Sequence, residues 1–417
     1  MPAPAAPDAA LPWWGTAAHE AYLLDDAARQ FAFFGRSLDP AGGFHAQAMD
    51  GRIIPGAVKE LHATTRMVHS FALGHLAGLA GADRMIDHGM TAIRKLHRDH
   101  DHGGYVWSFA TDGTVADGTK LAYGHAFVLL AASSARMAGH PDASALHDDI
   151  CEVIDARFWD HSAGRMREEF ARDWQKISSY RGMNANMHMA EALLAATEAT
   201  GERVFLERAI GIFDFFIGQV GAAQDWRLPE HFTEDWSVDA GYEGNPMFRP
   251  AGTTPGHSFE FARLMLQAWD LDGRHNDDLR DWAVNLYRRA LADGWDHVRG
   301  GVLYTVGADG APMRRSRYWW PLTEAIGAAA ALQKAGLGDA GDYSLFWATA
   351  DRLFIDKKHG GWIPEIDGDD RPDDRQFIGK PDIYHSVQAC LFPLVPGLSQ
   401  AGRELPALRG RLTVQAG

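Results

Sequence analysis

Six polar side chains recur at near-regular intervals inside stretches that are otherwise apolar: Arg66, His125 (with Tyr123 just before it), His188, His257, Glu324 and His385. Their separations are 59, 63, 69, 67 and 61 residues. Imidazoles accept and donate protons near neutral pH. A guanidinium or carboxylate beside them can hold hydroxyl groups or a developing oxyanion. Together such a set suits proton transfer on a small, hydroxyl-rich molecule. A single histidine of this kind is ordinarily a core residue satisfied by a backbone carbonyl; six in phase resist that explanation.

Local spacing adds partners. Asn184 and His188 are four apart and share a helix face, with Glu191 within reach of His188. Thr254 and Pro255 read as the cap and first position of a helix whose first turn carries His257. Glu260, three residues on, is placed to orient that imidazole. Pro381 starts a helix one turn before His385, and Trp320 lies four residues before Glu324. Several of the 14 tryptophans stand beside these positions, namely Trp107, Trp319, Trp320 and Trp362. Trp319 and Trp320, next to a proline at a helix start, are the best candidates for a platform under the C–H face of a sugar. A metal held by His188, His257 and His385 is the competing use of the histidines; arginine and glutamate in the same ring suit a hydroxyl network equally well, so no metal is expected. Glycosidases need paired carboxylates, whereas histidine dominates here. There is no Walker loop, no GxGxxG at a strand-to-helix turn and no GxSxG elbow.

The elements that position these residues also repeat. Gly42-Gly43-Phe44, Gly103-Gly104-Tyr105, Gly164, Gly300-Gly301-Val302 and Gly360-Gly361-Trp362 each precede a few alternating or aromatic residues, and several of these stretches end in Asp-Gly. That is the pattern of a short β-hairpin, and Trp226 to Phe232 reads as a degenerate copy. The period is about sixty residues, as for a repeated supersecondary unit. Two helical stretches fall in each period. Asp87 to Arg98 and Ala143 to Phe158 are amphipathic and read as outer helices. Leu121 to Ala138 and Ala325 to Leu332 are apolar or small on nearly every side and read as inner ones. Six alternating pairs predict an all-α fold, an (α/α)6 barrel with short β-hairpins in its connecting loops; an open superhelix of helix pairs is the alternative. In a closed barrel the in-phase polar residues ring one mouth. The expected organisation is a disordered lead over 1–14, one catalytic domain over 15–400 and a tail over 401–417.

Composition narrows the context. A net charge of −15 disfavours nucleic acid. The two cysteines, Cys151 and Cys390, lie in apolar contexts outside any CxxC pair and read as thiols of a reducing compartment. The first residues lack the basic and apolar regions of a signal peptide, and no apolar run approaches the roughly 20 residues that span a bilayer. A cytoplasmic protein with no membrane partner is expected.

The motifs LHATTRMVHSFALGHL, YGHAFVLLAASS, NANMHMAEALL, TTPGHSFEFARLML, WWPLTEAIGAAAAL and KPDIYHSVQACLFP resemble, in order and spacing from about residue 15 to 398, the N-acylglucosamine 2-epimerase superfamily, and within it the aldose–ketose isomerase branch. The resemblance implies an (α/α)6 barrel, no required metal or organic cofactor, and interconversion of a monosaccharide aldose with its 2-ketose. It implies His257 and His385 as base and acid, with Glu260 and His188 in the same catalytic group. Arg66, Asn184 and Glu324 correspond to residues that bind or polarise the sugar, and Tyr123, Arg249 and Trp320 to substrate contacts. Pro364, Pro381 and His62 depart from the pattern of sulfonated-sugar isomerases, which favours D-mannose and D-fructose, or a related aldose such as D-lyxose, as the reacting pair. Two-epimerisation is the rival reaction; a glycoside hydrolase and a non-catalytic sugar-binding barrel are the rivals from other classes. The expected assembly is a monomer or homodimer.

Overall fold

The computed structural model describes residues 13–245 and 247–414. Outer helices are α1 (Ala17–Phe34), α3 (Ala82–Ala92), α5 (Ala143–Val153), α7 (Arg203–Phe213), α9 (Asp277–Gly294) and α11 (Ala340–Leu353). Inner helices are α2 (Leu61–Leu76), α4 (Ala122–Met137), α6 (Met183–Thr200), α8 (Pro255–Leu271), α10 (Trp319–Lys334) and α12 (Tyr384–Leu391). Each inner helix packs on the next, and α12 packs on α2, so the barrel closes. Their composition dictates this. α4 and α10 are alanine-rich and buried around most of their circumference, whereas α3 turns Met85, Ile86, Gly89 and Met90 inward and leaves Asp83, Arg84 and Asp87 exposed.

The glycine pairs sit in loops closed by single antiparallel bridges, Leu38 with Phe44, Arg98 with Tyr105, Trp295 with Val302 and Ile355 with Trp362. They form a tight loop leaving the outer layer, in which an aspartate accepts the backbone N–H two residues on: Asp39 from Ala41 (2.9 Å), Asp99 from Asp101 (3.2 Å), Asp296 from Val298 (3.0 Å) and Asp356 from Lys358 (3.0 Å). The Asp-Gly dipeptides further on make the true turns. Leu303–Val306 with Pro312–Tyr318 is the longest hairpin among the described residues; the others shrink to strands of two or three residues or to single bridges.

Just before each inner helix, the chain pairs with the loop of the neighbouring repeat: Lys59 with Phe109, Lys120 with Phe170, Arg181 with Phe232, Thr253 with Val306, Arg317 with Ile366, and Lys380 with Gln47. The last pairing joins the final repeat to the first and closes a collar around one mouth. Gly379 (φ +73°) is required at that seam, because a Cβ there would sit 2.0 Å from the carbonyl oxygen of Gln47. Several collar cations also reach the loop aspartates, as in Lys59–Asp39 (2.7 Å), Lys120–Asp99 (3.0 Å) and Lys380–Asp356 (2.7 Å).

Both ends of the described chain pack against the barrel. Residues 1–12 of the expected lead lie outside the described residues, but Trp13 is buried against Tyr22, Tyr343 and Trp347. The expected tail also packs inward through Leu405, Leu408 and Leu412, and Arg411 pairs with Glu20 of α1. Both thiols are free; Cys390 is buried and Cys151 half-buried. Among the described residues, no helix is long and apolar enough to cross a membrane.

Candidate active site

The collar delivers all six inner helices to one end of the barrel, around a cavity of about 450 Å³. Second positions of the helices contribute His62, Tyr123, Asn184, Trp320 and His385, with His257 at the third position of α8. One turn deeper, the sixth positions contribute Arg66, His188 and Glu260 to the cavity, with Glu324 behind them. The predicted site residues therefore come together in two tiers.

One member of the predicted ring does not belong. His125 sits at the fourth position of α4 and turns into the wall, where Nδ1 donates to the Leu121 carbonyl (2.8 Å) and Nε2 accepts the Tyr105 N–H (3.1 Å). Burial pushes it down to about 3, so it is a neutral structural histidine. Tyr123 takes its place in the ring. Trp362 is also structural, since its indole N–H donates to Asp26 (2.9 Å) under α1. Trp107, Trp319 and Trp320 do line the cavity.

The two principal imidazoles are each held from behind by a carboxylate. His257 Nδ1 lies 3.0 Å from both oxygens of Glu230. His385 Nδ1 lies 2.7 Å from Glu324 Oε1. In each case Nδ1–H donates to the carboxylate, which fixes the tautomer and leaves Nε2 as the free nitrogen on the cavity side. Trp320 contacts both rings, with centroids at 5.1 Å from His257 and 5.8 Å from His385. Gly256 permits this, because a Cβ there would lie 2.5 Å from the Trp320 ring.

The orienting carboxylate of His257 is thus Glu230, not Glu260. Glu230 comes from the degenerate hairpin stretch and also accepts the Thr254 N–H (3.1 Å). The Thr254 hydroxyl makes no cap bond and is buried without a partner.

Glu260 faces the floor, where its Oε1 lies 3.6 Å from His188 Nδ1 and 3.8 Å from the Arg263 guanidinium. Arg263 also reaches Glu324 (3.2 Å) and Glu191 (3.5 Å). His188 Nδ1 is 3.4 Å from Glu191, as its spacing implied, and Tyr384 donates its hydroxyl to the same carboxylate. Burial pushes His188 down to about 4. Burial also works to raise Glu324, but Arg263 and the bond from His385 outweigh it and hold Glu324 below its ordinary range. Two acid–imidazole triads lie in this floor with ligand atoms within 4.8 Å of one another, His188–Glu191–Glu260 and Glu260–Glu324–His385. Arg263 supplies a cation at their shared edge.

The walls present binding groups. Arg66 donates to Asp382 (2.8 Å) and to the Tyr123 hydroxyl (2.8 Å), with its guanidinium over the Phe127 and Tyr384 rings. Asn184 Oδ1 is buried without a partner. His62 stacks on Trp107 at 5.0 Å and is pushed down to about 3 by burial and then by Arg66. At the rim, Arg249 lies over Tyr180 (4.3 Å) and reaches Glu169 (2.8 Å) and Glu168 (3.4 Å). Burial still lifts Glu168 to about 7. Glu230, Asp382 and Arg263 are the main residues that sequence reasoning missed. Asp382 precedes its helix and Glu230 lies in the least regular repeat, so neither shares the phase of the ring.

A closed barrel of helix pairs, with buried imidazoles, a guanidinium and aromatic faces around a cavity of about 450 Å³, suits an enzyme that rearranges small sugars. Residues 42–389 match the family model described as N-acylglucosamine 2-epimerase (GlcNAc 2-epimerase). The chain is 41% identical over 392 residues to a D-mannose isomerase of Thermobifida fusca, covering 92% of this chain and 96% of that one. It is 41% identical over 395 residues to a D-mannose isomerase of Pseudomonas cannabina pv. alisalensis, covering 92% and 94%. A solved D-mannose isomerase structure superposes with a TM-score of 0.83 at 31% identity, over 90% of this chain and 97% of that chain. The chain belongs to the N-acylglucosamine 2-epimerase family, and its chemistry is that of a sugar isomerase or epimerase.

Proposed function

We propose that the protein interconverts D-mannose and D-fructose through a cis-enediol, with related aldoses such as D-lyxose as further substrates. The observation that carries this reading is the pair of imidazoles, His257 and His385, each tied at Nδ1 to a carboxylate and each packed beside the Trp320 ring. Likeness to D-mannose isomerases over nearly the whole chain supports the choice of sugar. In this reading one imidazole takes the anomeric O1–H proton at Nε2 and delivers it to the ring oxygen as the C1–O5 bond breaks, which opens the pyranose and returns the imidazole to its neutral form. A neutral imidazole then takes the C2 proton of the open aldose at Nε2 and returns it to C1. A second group moves a proton between O1 and O2. Arg66, Asn184 and His188 hold the hydroxyls and spread the charge that develops on the enediol oxygens, Trp320 supports the sugar face, and Tyr123 and Arg249 contact its outer edge. Proton transfer between two carbons requires no hydride acceptor, and the cation in the floor is already Arg263.

The test is NMR of the purified protein with D-mannose, D-fructose, D-glucose and sulfoquinovose in deuterated water. The expected result is fructose from mannose with deuterium exchange at the migrating position. Glucose as the main product would replace isomerisation with 2-epimerisation. Absence of both products and of exchange would reduce the site to a binding site.

A further inference from the structure

The floor holds more buried acid than its cations can neutralise. Arg263 is the guanidinium among three carboxylates, Glu191 on α6, Glu260 on its own helix and Glu324 on α10. Arg66, the other guanidinium nearby, is already paired with Asp382. Glu324 is committed to His385 and Arg263, and Glu191 to Tyr384, His188 and Arg263. Glu260 differs from both. It is fully buried, and neither of its oxygens has a hydrogen-bond partner in the protein. It also lines the cavity. An ionised carboxylate could not be left in that state, because burying a charge without bonds costs far more than burying a neutral acid.

We propose that Glu260 is carried as an un-ionised carboxylic acid whose hydroxyl is offered upward into the cavity, as a hydrogen-bond donor to a substrate oxygen. The groups facing it agree. From the surrounding helices these are Arg66, Tyr123, His188 and Glu191, Glu324, and Tyr384 with His385, besides Arg263. Burial, and then the charges of Glu324 and Glu191, hold the Glu260 carboxyl well above the ordinary carboxylate range, against the smaller opposing pull of Arg263 and Arg66. His188, kept neutral beside it by burial, does not need its charge.

The role of the donor rests on the sugar reading above; the stored proton does not. With a sugar bound, the acid donates to an oxygen that gains negative charge as the enediol forms. That bond is weak to a ground-state hydroxyl and stronger to an enediolate, so it acts where the barrier is. The donor keeps its proton, and no further reactant is consumed.

The experiment compares the full-length wild type with Glu260→Gln, first without sugar. The infrared difference spectrum should show the carbonyl stretch of an un-ionised acid in the wild type and its loss in the variant, at pH 7.5. Unfolding titrations should show the linkage. The unfolded chain releases this proton above about pH 4.5 while the native protein keeps it. The folding constant of wild type relative to E260Q should therefore fall about tenfold per pH unit as pH rises from 5.5 to 7.5. An ionised-carboxylate band, or a ratio independent of pH, overturns the proposal. So does failure of E260Q to fold, since the amide is the closest neutral analogue of the acid. In turnover, E260Q should keep its KM for D-mannose within about threefold, because the amide N–H donates the same bond, and lose mainly kcat. A tenfold rise in KM overturns the donor role. A wild type inactive on D-mannose would count against the sugar reading alone and leave the spectroscopic result in force.

Discussion

Replacing Glu324 by glutamine should switch the tautomer of His385 without disturbing its place. Glu324 Oε1 is 2.7 Å from His385 Nδ1, and Oε2 is 3.2 Å from Arg263 Nε. Arg263 can only donate, so the amide oxygen of the variant must take the Oε2 position. The amide NH2 then faces His385 Nδ1, which becomes an acceptor, and the ring proton moves to Nε2. In that form the nitrogen left on the cavity side cannot accept a proton. Restoring the original tautomer would set two N–H groups against each other and forfeit a hydrogen bond to a charged partner, worth roughly 1.5–3 kcal/mol. At 1.36 kcal/mol per decade that is about 10–10² in rate. Loss of the carboxylate that stabilises the imidazolium adds to it, which brings the expected fall in kcat to roughly 10²-fold or more. KM should change by less than about threefold. The assay is kcat and KM for D-mannose, with nitrogen-15 shifts of the His385 ring as the direct reading of tautomer and a thermal melt as the fold control. A folded variant with kcat within about threefold of wild type, or one whose ring keeps its proton on Nδ1, refutes the reasoning.

Three further outcomes are expected. His257→Ala and His385→Ala should each lower kcat by roughly 10²-fold or more, and the double variant should be little worse than the worse single; near-normal turnover in either folded variant would remove that residue from the acid–base pair. Activity should survive exhaustive chelation, because Arg263 stands where a cation would compensate Glu191 and Glu324; loss with EDTA, restored by one divalent ion, reverses this. His125 should show itself in stability rather than rate. Burial holds it at about 3 in the fold, so below about pH 6.5 the unfolded chain binds a proton that the native protein refuses, and wild type loses stability as pH falls. Against His125→Gln, which does not titrate, the wild-type advantage in urea unfolding should shrink by about 1.4 kcal/mol between pH 7.5 and 5.5; a constant gap contradicts the buried neutral imidazole.

The barrel was legible because its period repeats both in the glycine loops and in the apolar helices, two signals with separate physical causes. The site was legible to the extent that its residues stand at fixed positions of the inner helices. His125 was misassigned because the glycine loops set the phase only to within a couple of residues. A helix turns about 100° per residue, so two residues separate Tyr123 in the cavity from His125 in the wall. Glu230 lay beyond that logic, since it reaches His257 from a loop in another repeat. The protonation of Glu260 could not be read from spacing, for it depends on three carboxylates from three helices meeting at one guanidinium. The collar cations Lys59, Lys120, Arg181, Arg317 and Lys380 were readable in principle, as basic residues just ahead of five of the six apolar helices.

The seam between Gln47 and Lys380 also bears on how the molecule comes into being. Synthesis delivers the repeats one at a time, and each inner helix can find its predecessor as soon as it emerges. The last cannot be placed until the chain is nearly complete, since α12 must dock on α2 as well as on α10. Until then Arg66 lacks Asp382, and His385 is not yet present to meet Glu324. A nascent or truncated chain is therefore an open arc of helix pairs with two apolar edges, the form most exposed to exchange of repeats with another copy. Catalysis waits on the same event, because closing the ring and assembling the site are one step.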